Sequence, residues 1–447
     1  MRSRQVVRNT GLSAEHGAAG NGCIPHFGAS RVMLVLTKKN VELASSLVLT
    51  RFVVFHFQTG EDEIMKGVSR RELLKLIGMG AGAAALGGGS LLMSSSAFAA
   101  REKELNILCW EGYNSAQVLD PFRRSTGANV RAESLTNDPT MINRLRAGET
   151  NVWDLINVNN PWARKVMMPE GLIKPLPRAE FEPYFENMLP QFKPPYPWAM
   201  SADGNELLGM AQRFGPFNYV VNTDRISRAT AEDTGWDLFN DKALRGKYGI
   251  QESDDWNVFD IFLVAGINPF IEHTPEQMAK FQETANAVFK GAKMIGDASS
   301  LNQAMISGEI DLYMTGGTYS CSPARADGFP EVRGITPLRG PVDGKGGVSW
   351  VEITSVVNNP TLSPLATEFL KYVQDPEIAH RVAFAEGTFN PVSQMGDPEC
   401  FKLFTKEELD AIQWDSLGEE MERCVAYDIV PEFDEALEMI SAAKRMR

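Results

Sequence analysis

Over most of the chain, short apolar segments alternate with segments whose apolar residues recur at helical spacing. The pattern predicts strands at residues 105–110, 153–158 and 310–315, and helices at residues 118–127 and 275–290. Strands that alternate with helices are typical of α/β folds with a largely parallel sheet. Since a chain of 447 residues exceeds what one hydrophobic core usually serves, we expect the fold to divide into two lobes.

Strand character at residues 212–222 is expected to carry the chain from one lobe into the other. We predict that residues 100–215 and 351–395 form the first lobe. Residues 216–350 and 396–447 are then the second lobe. Two lobes joined by more than one chain crossing make a hinge around a cleft.

Asp138-Pro139 predicts a helix start, with the aspartate as N-cap and the proline in the first turn. Asp120-Pro121 offers the same kind of start as an alternative for the helix at residues 118–127, which Pro121 otherwise interrupts. Asn160-Pro161 repeats this pattern at the end of the strand predicted at residues 153–158. Open α/β sheets bind ligands where strands end beside helix N-termini, so this junction is a candidate ligand site.

The first 99 residues carry the pattern of an export signal. Arg70-Arg71 precede a glycine- and alanine-rich apolar run at residues 76–93, and Ala97-Phe98-Ala99 supplies a small-residue cleavage site. A membrane anchor is the alternative for the apolar run, but its many glycines favour a twin-arginine signal. We therefore predict a twin-arginine signal at residues 65–99 and a periplasmic mature chain after it. Residues 1–64 are then a disordered segment or a misannotated extension.

The predicted mature chain is strongly acidic. Residues 100–447 contain 33 basic and 51 acidic side chains, a formal net charge of −18. Nucleic acids and anionic lipids are therefore not expected as partners, because such a surface repels them. The same charge suits a cationic ligand, although solubility alone is an alternative explanation.

Histidine and cysteine are too sparse to indicate catalysis. His273 and His380 are the two histidines after residue 99, and neither lies in a pattern that suits zinc or a nucleophilic triad. Cys400 and Cys424 are close enough in sequence for a periplasmic disulfide, and free thiols are an equal alternative. We predict no catalytic residue, no metal site and no cofactor.

Strands are also predicted at residues 248–251 and 350–357. Three groups of aromatic and acidic residues lie at the ends of predicted strands, at residues 110–113 (Trp-Glu-Gly-Tyr), 254–256 (Asp-Asp-Trp) and 350–352 (Trp-Val-Glu). Aromatic faces attract ammonium groups, and carboxylates neutralise them. Together the groups predict a box for an aliphatic amine. Core packing of the tryptophans and solvation of the acids are the alternative.

Five segments carry a family resemblance: Leu-Asn-Ile-Leu-Cys-Trp-Glu-Gly-Tyr at 105–113, Asp-Leu at 154–155, Glu-Gly-Leu-Ile at 170–173, Gly-Glu-Ile-Asp-Leu at 308–312 and Gly-Gly-Val-Ser-Trp-Val-Glu at 346–352. In this order they resemble periplasmic spermidine/putrescine-binding proteins, and the similarity spans essentially the whole mature chain. The resemblance implies an α/β, two-lobed type II periplasmic-binding-protein fold with a ligand cleft between the lobes. It also implies docking to an ABC permease in the inner membrane.

The resemblance assigns ligand contacts to particular residues. Trp110, Tyr113 and Trp350 match aromatic residues of the family's site. Asp254 matches a carboxylate that holds an ammonium group, and Glu352 stands where the family has an aspartate. We expect these five side chains to contact the ligand.

Other positions depart from the family pattern. Asn159 and Asn160, also expected to contact the ligand, stand where a serine and an aromatic residue are usual. Gly112 and Asn257 replace glutamates, and Thr315 replaces a tryptophan of the box wall. Asn257 and Thr315 are therefore possible rather than assigned ligand contacts.

Glu111 is a further possible contact, since it could compensate in part for the missing glutamate. Arg213 could meet a ligand carboxylate, with a salt bridge inside the protein as the alternative. An ammonium buried without a carboxylate costs several kcal/mol, so fewer carboxylates imply fewer cationic ends on the ligand. We expect a small-molecule amine or a zwitterionic amino compound.

The sequence thus predicts the substrate-binding component of an ABC importer, without catalytic activity. A periplasmic sensor that presents its ligand to a membrane receptor is one alternative. An exported enzyme is another, but no dinucleotide-binding glycine motif, haem motif or histidine cluster supports it.

Overall fold

The structure is a computed structural model that describes residues 101–135, 137–384, 387 and 389–447. The predicted extension at residues 1–64 and the predicted signal at residues 65–99 lie outside this part of the chain. Within it, no helix combines the length and the apolar character needed to cross a membrane.

The described residues contain eleven strands, which join into one mixed sheet. The strands are β1 Glu104–Cys109, β2 Asn129–Ser134, β3 Leu155–Asn159, β4 Ile173–Lys174, β5 Met210–Asn222, β6 Tyr248–Gln251, β7 Met294–Gly296, β8 Leu312–Gly317, β9 Val332–Ile335, β10 Gly347–Val357 and β11 Cys424–Ala426. The main order across the sheet is β2-β1-β3-β10-β5-β8-β6-β7.

The helices cover the sheet in a mixed α/β arrangement. They are α1 Ala116–Thr126, α2 Asp138–Arg146, α3 Asn160–Trp162, α4 Arg178–Phe185, α5 Arg228–Thr234, α6 Asp254–Val264, α7 Pro275–Gly291, α8 Ala298–Ile306, α9 Thr318–Ala326, α10 Leu365–Tyr372, α11 Pro376–Ala383, α12 Pro398–Phe401, α13 Lys406–Ala411, α14 Trp414–Glu422 and α15 Phe433–Arg445. A π-helical turn, Ala163–Met167, follows α3 directly, and short 3-10 turns lie at Glu149–Asn151, Pro190–Phe192, Gly235–Phe239, Lys242–Leu244 and Ser393–Gly396.

The sheet is parallel at its two ends and antiparallel in the middle. Strands β2, β1 and β3 run parallel to one another, as do β8, β6 and β7. Strands β10 and β5 run antiparallel to their neighbours on the main path. The expectation of a largely parallel sheet is therefore wrong for the two central strands, β5 and β10. The apolar pattern of a strand does not indicate the direction in which the strand runs.

Strand β5 belongs to both halves of the sheet. Its residues up to Pro216 pair with β10, and its residues from Phe217 onward pair with β8 and β9. All of its residues are buried, as are all of those in β10. The two strands are thus the shared centre of the fold. The predicted lobe boundaries at residues 215 and 350 fall within these strands, and they stay a prediction.

Helix starts differ from the predicted ones. Pro121 lies inside α1, which begins after Ser115. Asn137 caps α2, because its side chain accepts a hydrogen bond from the Thr140 backbone N–H, and Asp138 moves into the first helical turn. Helix α6 begins at Asp254, and its acidic first turn is favoured by the helix dipole.

The cysteines and histidines of the described residues make contacts inside the fold. Cys400 and Cys424 are buried and are not joined by a disulfide. The rings of His273 and His380 each contact a glutamate side chain. Within the described residues, no group of three or more His, Cys, Asp or Glu side chains is arranged to hold a metal ion.

Asp154, which precedes β3, ties three segments together. Its fully buried carboxylate accepts hydrogen bonds from the backbone N–H of Asn106 at 2.8 Å and of Ser363 at 3.0 Å. It also forms an ion pair with Arg101. The side chain therefore holds β1, β3 and the segment before α10 in register.

We expect Asp154→Ala to lower the free energy of unfolding by about 2–4 kcal/mol, because two backbone donors and a guanidinium lose a buried partner. Urea unfolding measures this change. Asp120→Ala, which removes an exposed pair with Arg123, is the control and should cost about 0.5 kcal/mol or less. Equal costs for the two variants would contradict the role of Asp154.

Candidate functional site

A cavity of about 630 Å³ lies where the two halves of the sheet meet. Strands β1, β3 and β6 direct their carboxyl ends toward it, which is where open α/β sheets bind ligands. The first turns of α6 and α8 and the last turn of α15 complete the wall. The lining side chains are Trp110, Glu111, Asn137, Asn159, Phe217, Gln251, Glu252, Ser253, Asp254, Asp255, Trp256, Asp297, Ala298, Ser299, Tyr319, Trp350, Glu352 and Lys444.

Five of the lining residues are aromatic, and three of them are in ring contact with one another. The Phe217 ring lies 4.7 Å from the Trp256 ring and 6.3 Å from the Tyr319 ring. Trp256 in turn stacks on Tyr427 at 5.0 Å, which fixes its plane. Such rings offer faces to an alkyl chain or an ammonium group.

Glu352 belongs to a buried ion pair. Arg213 on β5 donates two hydrogen bonds to the Glu352 carboxylate on β10, each 3.0 Å long. Tyr113 donates a third at 2.6 Å, and the guanidinium lies 4.5 Å from the Tyr113 ring centre. Burial raises the pKa of the Glu352 carboxyl, although Arg213 opposes the rise. The negative charge of Glu352 is therefore compensated within the protein.

Asp254 is also compensated within the protein. The Lys444 ammonium near the end of α15 lies 2.5 Å from one oxygen of the Asp254 carboxylate. Both side chains are part-buried in the cavity wall. Lys444 is the one lysine or arginine among the lining residues that the structure describes.

Two hydrogen bonds connect opposite walls of the cavity. Tyr319 in α9 donates to the Glu111 carboxylate after β1 at 2.6 Å. The Asn137 side chain donates to Asp255 at 3.1 Å. In the predicted division, each bond joins the first lobe to the second, so the lobes are in contact across the cavity.

Among the described residues, Asp138 and Asp255 form no ion pair with a lysine, arginine or histidine. Asp138 accepts hydrogen bonds from the Trp110 indole at 2.7 Å and from the Asn159 amide at 2.8 Å. Burial raises the pKa of Asp138 to about 7, and burial likewise raises the pKa of Asp255 to about 6. A cation bound nearby would favour the ionised form of both carboxyls.

Three buried acceptors on the lining have no hydrogen-bond partner among the described residues. They are Oε2 of Glu111, Oδ1 of Asn159 and Oε1 of Gln251. A buried acceptor without a donor costs about 1–3 kcal/mol. A ligand that brings several N–H donors would remove this cost.

The structure brings six of the eleven predicted and possible contacts to the cavity: Trp110, Glu111, Asn159, Asp254, Trp350 and Glu352. Tyr113 and Arg213 lie behind the lining, where they hold Glu352. Asn160 starts α3, with Asn159 in the N-cap position, and is buried outside the lining.

Asn257 and Thr315 also lie outside the lining. The Asn257 amide donates to the backbone carbonyl of Gln251 at 3.1 Å and so braces the end of β6. The Thr315 hydroxyl lies 2.5 Å from the Asn257 side chain and 2.6 Å from the buried Asp260 carboxyl. Burial raises the pKa of Asp260 well above its usual value. These side chains form a polar support for the wall.

Several lining residues were not predicted from the sequence. Asp255 and Trp256 belong to a segment that the aromatic and acidic pattern did select, and the pattern could have identified them. Phe217, Tyr319 and Lys444 carry no local signal, because their separate elements meet only in the folded chain. Asn137 was missed because the sequence pattern assigned the N-cap of α2 to Asp138.

A mixed sheet in two halves, with an aromatic and acidic cavity between them, is typical of a two-lobed solute-binding protein. Residues 117–402 match the bacterial extracellular solute-binding protein family. The chain therefore belongs to this family, and it has the fold of periplasmic binding proteins. A search of curated protein sequences found no match.

Solved structures share the fold at low sequence identity. A spermidine/putrescine ABC transporter substrate-binding protein from Streptococcus pneumoniae is 17% identical with a TM-score of 0.55, over 76% of this chain and 99% of that one. A putative spermidine/putrescine ABC transporter protein from Listeria monocytogenes is 15% identical with a TM-score of 0.60, over 77% and 100%. The binding protein MotA from A. tumefaciens, in complex with glucopine, is 14% identical with a TM-score of 0.55, over 76% and 99%.

We expect Arg213→Met to lower the free energy of unfolding by about 3–5 kcal/mol, because Glu352 is left buried without its cation. The double variant Arg213→Met/Glu352→Met should cost less than Arg213→Met alone, since no buried charge remains. Urea unfolding of the single and double variants measures the coupling. Strictly additive costs would contradict a coupled buried pair.

Asp138→Asn should change how stability depends on pH. The pKa of Asp138 is about 7 in the folded protein and 3.8 ordinarily, so folding strengthens proton binding. The wild type therefore loses free energy of unfolding as the pH rises from about 4 to about 7, and the variant lacks this loss. We expect the variant's stability relative to the wild type to rise across that window. Parallel pH profiles would contradict the assignment.

Proposed function

We propose that the chain is the periplasmic substrate-binding component of an ABC importer, and that its solute is a small compound with a protonated amine. The proposal includes export by the twin-arginine signal at residues 65–99. Membership of the solute-binding family supports the binding role. The names of the Streptococcus and Listeria proteins, which refer to spermidine/putrescine ABC transporters, support the importer and the amine.

One observation supports an amine as the ligand. In the cavity wall, hydrogen-bond acceptors outnumber donors, and negative charges outnumber positive ones. Six carboxylates line the cavity against one lysine. Arg213 and Lys444 compensate two of the six, Glu352 and Asp254. The remaining carboxylates and the three unpaired acceptors suit a ligand with N–H donors and a positive charge.

The ammonium group is proposed to contact Glu111 and Asp255. These carboxylates belong to opposite walls, after β1 and in the first turn of α6. An ammonium between them would hold both walls at once, and Trp110 and Trp256 would contact its alkyl chain. Because the ligand then interacts with both walls only when the cleft is closed, binding favours the closed form, which the permease would recognise.

The proposed amine is tested by a thermal-shift screen that includes aliphatic amines, ω-amino acids, neutral sugars and dicarboxylates. A ligand that binds the folded state raises the melting temperature by mass action. We expect the amine-bearing compounds to raise it. Stabilisation by sugars or dicarboxylates, with none by amines, would contradict the proposal.

The proposed contacts are tested by Trp110→Ala and Glu111→Gln, measured by calorimetry with the amine that stabilises the wild type. Each should weaken binding about ten-fold or more, through loss of an aromatic contact or of the charge that pairs with the ammonium. Glu180→Gln, which changes an exposed carboxylate outside the cavity, is the matched control. Wild-type affinity in both cavity variants would contradict the assigned site.

A further inference from the structure

Lys444 places a primary ammonium inside the ligand cavity. Helix α15 packs against α6 and α7, and its buried Ile440 and Ala443 fix its last turn beside the start of α6. Lys444 therefore reaches the cavity wall, where its ammonium meets the Asp254 carboxylate at 2.5 Å. The side chain is 22% exposed, so the pair lies in the wall and not on the open surface.

The same chemical group that the sequence assigns to the ligand is here supplied by the protein. Asp254 is the carboxylate expected to hold a ligand ammonium, and a lysine ammonium on its four-carbon chain holds it instead. A second ligand ammonium at this end would meet the positive charge of Lys444. Like charges a few ångströms apart repel strongly in a partly buried site. Lys444 therefore disfavours the binding of a ligand with two positive charges that spans the cavity.

We infer that Lys444 substitutes for one ammonium group of the ligand, so that the cleft selects a solute with a single amine over a diamine. This inference rests on the proposed amine-binding function. In this inference Glu111 and Asp255 bind the amine of the solute, and the other end of the solute faces Lys444. Because an ammonium has three donors and Asp254 takes one, an acceptor on the solute, such as a carboxylate, completes the hydrogen bonds of Lys444.

The inference identifies the solute class by chemistry: a short chain with an amine at one end and a neutral or anionic acceptor at the other. An ω-amino acid has this form. A diamine of equal length lacks the acceptor and adds a repelled charge. The ratio of the two affinities is thus the quantity that Lys444 controls.

The experiment is calorimetry of the full chain with 4-aminobutanoate, butylamine and 1,4-diaminobutane. The variants are Lys444→Met, which keeps an alkyl side chain but removes the charge, and Lys444→Arg, which keeps the charge. Lys406→Met removes a lysine from an exposed pair on α13 and is the matched control. Thermal melting of each variant reports whether it is folded.

We expect the wild type, Lys444→Arg and Lys406→Met to bind a monoamine more tightly than the diamine. Lys444→Met should shift the ratio toward 1,4-diaminobutane by about ten-fold or more, because Asp254 is then available to a second ammonium. A ratio unchanged in folded Lys444→Met, with amines still bound, would overturn this inference alone and leave the proposed function standing. Binding of no amine by the folded wild type would overturn the proposed function and this inference with it.

Discussion

The buried pair between Arg213 and Glu352 is the interaction on which the centre of this structure depends. It joins β5 to β10 through two hydrogen bonds of 3.0 Å, at the strands that both halves of the sheet share. Tyr113 adds a third bond from the segment after β1. A charge this deeply buried is tolerated because its partner is held in bidentate geometry. The pair therefore holds Glu352 in place in the cavity wall without any contribution from a ligand.

The two internal ion pairs also determine what charge the cavity presents. Arg213 compensates Glu352 from behind the wall, and Lys444 compensates Asp254 from within it. In the part of the chain that the structure describes, Glu111 and Asp255, on opposite walls, form no ion pair with a lysine or arginine. Negative charge that no lysine or arginine pairs with is thus present on both walls, and we propose that one cation holds the walls together there.

Local patterns in the sequence predicted the α/β class, the helix at residues 118–127 and the aromatic and acidic segments that meet at the cavity. They could not predict strand direction at β5 and β10, because a fully buried strand has the same apolar pattern in either direction. Arg213 illustrates the same limit. The sequence predicted that Arg213 lies on a strand, but it could not predict that Glu352, 139 residues away, is its partner. Likewise, nothing in the sequence indicated that Lys444 lines the cavity, because only the packing of α15 against α6 brings it to Asp254.

The central claim is that the cleft holds a small solute through a protonated amine. Mass spectrometry of the solute released from the protein, after purification from its native cells without denaturation, tests this most directly. The account predicts a small molecule with a basic nitrogen. A released solute that is an anion or a neutral sugar without a basic nitrogen would contradict it.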